Sequence, residues 1–377
     1  MKIPRYYQDL DKYIKPNKVL VILGPRQVGK TTLLKDYLAA INKTIKYKLD
    51  VGDDIRIQEL INSMNFSKIK DYIKGYEMIA IDEAQKIKNI GQGLKIMVDQ
   101  FPEIQIIATG SSSFELSGQI GEPLTGRKIT LTLYPVSQIE LNNLYNNYEL
   151  KSRLEEYLIY GGYPEVVASD TVEEKKRILN EIVGSYLLKD ILELEKVKGS
   201  KILLDLLRLL AFQIGNEVSL SELGKQVGLD YKTIARYLDL FEKSFVIYNL
   251  RGFSRNLRKE ITKKSKYYFL DNGVRNAIIA NFNPLELRDD IGKLWENFII
   301  SERIKKQSYK SIYANNYFWR TWEQKEIDFI EEREGKLYAY EMKWKPERIA
   351  PPRDWKTAYP NSEFLTISQD NYLPFIL

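Results

Sequence analysis

The run Val19-Leu20-Val21-Ile22-Leu23, followed by Gly24-Pro25-Arg26-Gln27-Val28-Gly29-Lys30-Thr31 and Thr32-Leu33-Leu34, sets the architecture expected for the whole chain. Five apolar residues without a break read as a strand buried on both faces, and Gly24 ends it where the backbone must turn sharply. The spacing G-x-x-x-x-G-K-T that follows lets successive backbone N–H groups converge on an anion at the start of a helix, whose dipole also favours negative charge. Gly29 permits close approach, Lys30 is suited to the β- and γ-phosphates of a nucleotide, and the Thr31 hydroxyl is suited to magnesium. Gly24, Pro25, Arg26, Gln27, Val28, Gly29, Lys30, Thr31 and Thr32 are therefore the expected nucleotide-binding residues.

Moving outward, Met78-Ile79-Ala80-Ile81 ends in Asp82-Glu83-Ala84-Gln85. A strand closing on two adjacent carboxylates completes a nucleotide site: Asp82 orients the magnesium shell and Glu83 polarises the attacking water. Neighbouring carboxylates repel, so a nearby cation explains their placement. Ile104–Gly110 is a further buried strand. Thr109 or Ser111 at its end is either a γ-phosphate sensor or a helix cap. Gly126-Arg127 precedes an alternating strand over 129–133, and Arg127 reads as an arginine finger acting in its own site or a neighbour's, or as a surface arginine.

Composition narrows the chemistry. At 377 residues the chain is long enough for two or three domains. With no cysteine and no histidine, thiolate and imidazole chemistry is excluded, leaving carboxylates, lysine, hydroxyls and a hard metal ion. The 57 Lys+Arg against 51 Asp+Glu give a net charge of +6, which permits a polyanionic partner without demanding one. No apolar window is long enough to span a bilayer and the first residues lack a signal-peptide core, so a cytoplasmic protein without a membrane partner is expected.

The remaining segments divide by pattern. Tyr6, Leu10, Tyr13 and Ile14 recur at helical spacing and predict a short helix before the first strand. From Glu140 to about Val197 the pattern is helical, broken by a turn at Gly161-Gly162-Tyr163-Pro164. Residues 200–250 read as a winged helix-turn-helix, with Lys232 and Arg236 on the outer face of the second helix and a basic wing carrying Arg255, Arg258, Lys259 and Lys266. Such a unit either binds duplex DNA or packs domains together. Further on, strands are expected at Ser311–Tyr313 and Tyr317–Arg320. Glu326-Ile327-Asp328 and Glu341-Met342-Lys343 then alternate on paired strands, with Glu296 on a preceding helix. Glu296, Asp328, Glu341 and Lys343 have the composition of a magnesium-dependent nuclease site, although alternation is also how a half-exposed strand looks.

Taken together, these motifs, with Thr109-Gly110-Ser111-Ser112, Tyr268-Phe269-Leu270-Asp271-Asn272-Gly273 and Gly292-Lys293-Leu294-Trp295-Glu296-Asn297-Phe298, resemble the AAA+ ATPases of archaea and bacteria that are fused to a C-terminal domain of uncharacterised function. The resemblance implies an α/β fold with a P-loop NTPase core at 1–139, a helical lid at 140–198, a winged helix at 199–272 and a restriction-endonuclease-like α/β domain at 273–377. It implies ATP and Mg2+ as cofactors, ATP hydrolysis, and ring or dimer assembly with trans-acting arginines. Three activities follow: an ATPase whose nucleotide state moves a DNA-binding half, an ATP-gated DNA endonuclease, and a nucleotide-dependent scaffold for a protein partner.

Overall fold

In the computed structural model, residues 2–110, 123–187, 192, 200–254, 265–321 and 323–377 are described. The first sheet contains β1 (Val19–Leu23), β2 (Tyr47–Val51), β3 (Met78–Asp82), β4 (Gln105–Gly110) and β5 (Lys128–Thr132), in the order β2-β3-β4-β1-β5 and parallel throughout. Its central strands are buried on both faces, as unbroken apolar runs require. The two-residue side-chain period divides β1 between two cores. Leu20 and Ile22 join Leu33, Leu34 and Leu38 of α1 (Lys30–Ile41). Val19, Val21 and Leu23 join residues of α2 (Ile55–Asn62), α3 (Phe66–Ile73) and α4 (Ile90–Gln100) on the opposite face.

Five short helices then run from Gln138 to Glu181, interrupted by the turn at 161–163. Gly161, at φ +72°, sits where a Cβ would lie 2.2 Å from the Asp271 carboxylate, which accepts a hydrogen bond from the Gly162 amide at 2.7 Å. The helical segment 138–181 is thereby fastened to the C-terminal half.

The second sheet runs β12-β11-β10-β9-β7-β8-β6. It joins the short β6 (Glu217–Val218) and the hairpin strands β7 (Ile247–Gly252) and β8 (Ser265–Phe269) to β9 (Asn315–Arg320), β10 (Glu326–Arg333), β11 (Lys336–Met342) and β12 (Glu363–Ile367). The union is a parallel pairing of Arg251 with Tyr317 and Gly252 with Phe318, extended by the Phe253 amide donating to the Phe318 carbonyl at 2.6 Å. The boundary expected at residue 272 is therefore crossed by one hydrogen-bonded sheet. A long helix, Ile291–Tyr309, packs beneath it.

Two local expectations are corrected. Between Tyr6 and Ile14 only a 3-10 turn forms, at Leu10–Lys12. Here tertiary contacts override helical spacing: the Tyr6 amide donates to Glu140 at 2.8 Å while its ring stacks on Tyr309 with 4.7 Å between centroids. The strand expected at Ser311–Tyr313 is absent because Ser311 takes φ +52° to end the preceding helix, and strand pairing starts at Asn315.

Candidate functional site

The loop after β1 is shaped by backbone conformations that few residues adopt. Gly24 has φ +152°, and a Cβ there would meet the Leu133 carbonyl oxygen at 2.1 Å. Gln27 and Gly29 have φ +61° and +91°, which turns consecutive amides toward one concavity at the start of α1. Pro25 and Val28 are buried, Arg26 is half-buried and Thr32 is exposed. Lys30 is buried, and its Nζ donates to the carbonyls of Gly24 at 2.9 Å and Pro25 at 2.7 Å, inside the same concavity. A Gly24→Ala chain is expected to lose nucleotide binding, measured with a fluorescent ATP analogue, because the added methyl forces the loop off Leu133.

Asp82, at the carboxyl end of β3, lies beside this loop and is buried. Its two oxygens take two hydroxyls: Thr31 donates to Oδ2 at 2.7 Å, and Thr109 donates to Oδ1. The Glu83 amide donates to Thr109 Oγ1 at 3.2 Å, and Gln85 Nε2 donates to Glu83 Oε2 at 2.6 Å. Thr109 is fully buried, so it orders the carboxylate pair from behind; Ser111 lies outside the described residues. Gly24–Thr31 and Asp82–Glu83 are thus brought together as their spacing predicts.

Arg127 is not brought to this loop. It precedes β5, whose first residue pairs with Val19 at the amino end of β1, so the length of a five-residue strand, about 16 Å, separates it from the phosphate loop. Its Nε donates to Asp99 at 2.5 Å. A finger role within its own site is overturned by this geometry.

The C-terminal residues Glu296, Asp328, Glu341 and Lys343 also converge. A register shift between Ile327 and Ile330 against β9 marks a bulge that re-aims Asp328, which accepts the Met342 amide at 2.8 Å. Lys343 pairs with Glu341 at 3.1 Å. Burial, then the charge of Asp328, pushes Glu296 up to about 8, opposed by Lys266 and by a hydrogen bond from Tyr268. Burial, then Asp328, likewise raises Glu341 to about 7, opposed by Lys343. Lys266, expected on a solvated wing, is instead 1% exposed, with its ammonium paired to Glu326 and 3.8 Å from Glu296. Among the described residues no group of three or more acidic side chains is placed to hold a metal ion together.

On the helix Tyr231–Lys243, Ile234 and Leu238 are buried while Lys232 and Arg236 are exposed, and Asp230 caps its first turn by accepting the Lys232 and Thr233 amides at 2.9 and 3.1 Å. Arg255, Arg258 and Lys259 lie outside the described residues. Among the described residues no helix is long and apolar enough to cross a membrane.

Three family models match the chain: one described as an AAA domain over 16–142, and two described as domains of unknown function, DUF8612 over 151–285 and DUF4143 over 291–361. An uncharacterized protein of Haemophilus influenzae is 30% identical over 352 residues, covering 86% of this chain and 82% of its own. The chain belongs to the family of that protein. Within this family it also resembles an uncharacterized protein of Methanocaldococcus jannaschii, 26% identical over 89% of this chain and 77% of the relative. Residues 16–142 are a P-loop ATPase domain of the AAA type. Among solved structures the chain is similar to the replication initiator DnaA bound to AMPPCP and single-stranded DNA (TM-score 0.31, 14% identity, 63% of this chain and 86% of that one). It is also similar to C. elegans PCH-2 (TM-score 0.26, 14% identity, 60% and 63%).

Two parts of the AAA domain's surroundings escape sequence reasoning. Arg5 is buried and bridges three segments: Nη1 donates to the Val28 carbonyl inside the phosphate loop, Nη2 to the Tyr134 carbonyl at 2.6 Å, and Nε to Glu140 at 2.8 Å. Beside the loop, a narrow cleft of about 20 Å³ lies between Pro25, Arg26, Pro135, Tyr163 and the turn Ser244–Val246. Ser244 Oγ, on that cleft, is buried with no hydrogen-bond partner among the described residues. No local pattern marks either feature, since the segments that meet are more than 20 residues apart.

Proposed function

We propose that the chain is a magnesium-dependent ATPase whose nucleotide state is transmitted to a C-terminal half that binds duplex DNA. The observation that carries the ATPase reading is the hydroxyl pair on Asp82, which ties the metal-ligating Thr31 to the carboxylate end of β3. With Thr31 and Asp82 holding it, magnesium would neutralise charge on the β- and γ-phosphate oxygens. Lys30 binds the phosphates and Glu83 accepts a proton from the attacking water.

The cleft beside the phosphate loop supports the coupling, because its walls come from the phosphate loop, the lid and the segment 244–246 that leads into β7. The order helix, β6, two helices, β7, β8 supports the winged-helix reading, and exposed Lys232 and Arg236 supply phosphate contacts. The order of the long helix, β9, β10, β11, a short helix and β12 supports a restriction-endonuclease-like fold for the last third. ATP turnover measured with and without duplex DNA, with DNA integrity followed in the same tube, tests the whole reading; equal turnover in both arms would sink the coupling. If Lys232 and Arg236 touch phosphates, replacing both by alanine lowers the slope of log K against log salt by roughly 1.8. An unchanged slope in a binding titration would assign the helix to another partner.

Because Arg127 stands a strand's length from its own phosphate loop, a finger role for it requires a second copy of this chain. Arg127→Ala and Lys30→Ala chains, each inactive alone, are expected to regain turnover when mixed, because a mixed interface pairs an intact loop with an intact arginine. Absence of complementation would remove the trans role.

A further inference from the structure

We propose that Lys266 is the resident cation of the C-terminal carboxylate cluster: its ammonium takes the place among Glu296, Glu326 and Asp328 that a divalent metal would need, so this α/β unit is built to work without one. This goes beyond the ATPase reading and does not rest on it.

Four observations carry the assignment. Lys266 arrives on β8, which is held on both sides by β7 and β6, so its backbone cannot swing clear as a loop would. Its side chain is 1% exposed, paired to Glu326 Oε1 and 3.8 Å from Glu296 Oε1. Phe318 lies against it, with the ring centroid 5.2 Å from Nζ, an aromatic face that favours a cation. One oxygen each of Glu296 and Asp328 is already engaged by another donor. Tyr268, two residues along and on the same face of β8, donates its hydroxyl to Glu296 Oε1 at 2.6 Å, and the Met342 amide donates to Asp328 Oδ2 at 2.8 Å. A divalent ion entering this site would face a fixed positive charge in a low-dielectric interior, as well as oxygens committed to other donors.

Charge bookkeeping points the same way. Glu296, Glu326, Asp328 and Glu341 face Lys266, Arg320 and Lys343, and Arg320 Nε stands 3.6 Å from Glu326. Four acids thus meet three cations, of which Arg320 is shared with Glu217 at 3.7 Å and Lys266 alone is buried. Lys266 gives this unit a reason to be continuous with the hairpin, because the group that satisfies its acids is supplied by β8.

The test uses the full chain without nucleotide, Mn2+ as probe, and free Mn2+ followed by electron paramagnetic resonance. Wild type and Asp328→Asn should take up Mn2+ identically, any background from the ATPase half being common to both. Lys266→Met should melt lower in EDTA by about 5 °C or more and take up an additional Mn2+ that is lost when Asp328→Asn is added. Combining Lys266→Met with Glu326→Gln should recover part of the melting temperature without metal, a result that a general folding defect would not give. Mn2+ uptake by wild type that disappears in Asp328→Asn would overturn the proposal. So would a Lys266→Met chain that melts like wild type in EDTA, or a double variant no more stable than the single.

Discussion

Glu83→Gln is expected to leave nucleotide binding nearly intact and to lower ATP turnover by about 10²–10⁴-fold, the usual contribution of a positioned general base. Asp82 and Glu83 are adjacent yet unequal. Both oxygens of Asp82 are engaged by Thr31 and Thr109, which suits it to orient a metal and leaves it poorly placed to accept a proton. Glu83 sits in left-handed backbone at φ +51°, a conformation that turns it away from the line of β3. Gln85 holds one of its oxygens at 2.6 Å, which fixes the rotamer and leaves the other oxygen for water. A neutral amide keeps that hydrogen bond and the shape but accepts a proton far less readily. Equilibrium binding of a fluorescent ATP analogue and steady-state phosphate release separate the two effects. Turnover equal to wild type would remove Glu83 from the mechanism, whereas loss of binding would mean that its charge supports the loop.

The second large effect is expected at the amino terminus. Arg5→Ala should destabilise the chain by about 3–5 kcal/mol, the range for stripping one partner from a buried ion pair. Glu140 is fully buried, and without the guanidinium its donors among the described residues are the Tyr6 and Ser137 amides and the Ser137 hydroxyl. The same change frees the Val28 carbonyl, so nucleotide affinity should fall as well. Urea denaturation of the full chain measures the first effect. Adding Glu140→Gln should recover most of the stability but little of the affinity, because the neutral amide relieves the stranded charge and does nothing for Val28. Recovery of both together would show that Arg5 acts on the loop only through global stability.

Much of the nucleotide half was legible from the chain, for a physical reason. A phosphate loop needs its glycines, lysine and hydroxyl within eight consecutive residues, and the flanking strand must be apolar on both faces, so the signal is local and dense. Asp82 and Glu83 were readable because they close a strand of the same kind. What could not be read depends on pairings across long separations. Arg5 and Glu140 are 135 positions apart, and nothing near Tyr6 hints that its helical spacing yields to a stack on Tyr309. Lys266 misled because it follows a run of basic residues, where a lysine normally faces water; its burial depends on the hairpin joining a sheet whose last four strands begin only at Asn315, and on Glu326 within them. The convergence of Glu296, Asp328, Glu341 and Lys343 was legible from strand alternation, but the lysine that alters what the cluster can hold was not.

The parallel pairing of β7 with β9 bears on how this chain can be divided. A cut placed between the hairpin and the long helix, where sequence alone suggests a natural boundary, would strip β7 of a neighbour and leave β9 with an unpaired backbone edge. Exposed edges of that kind template aggregation, and Lys266 would at the same time be parted from its acids. Expression trials that split the molecule near residue 272 should therefore yield insoluble fragments.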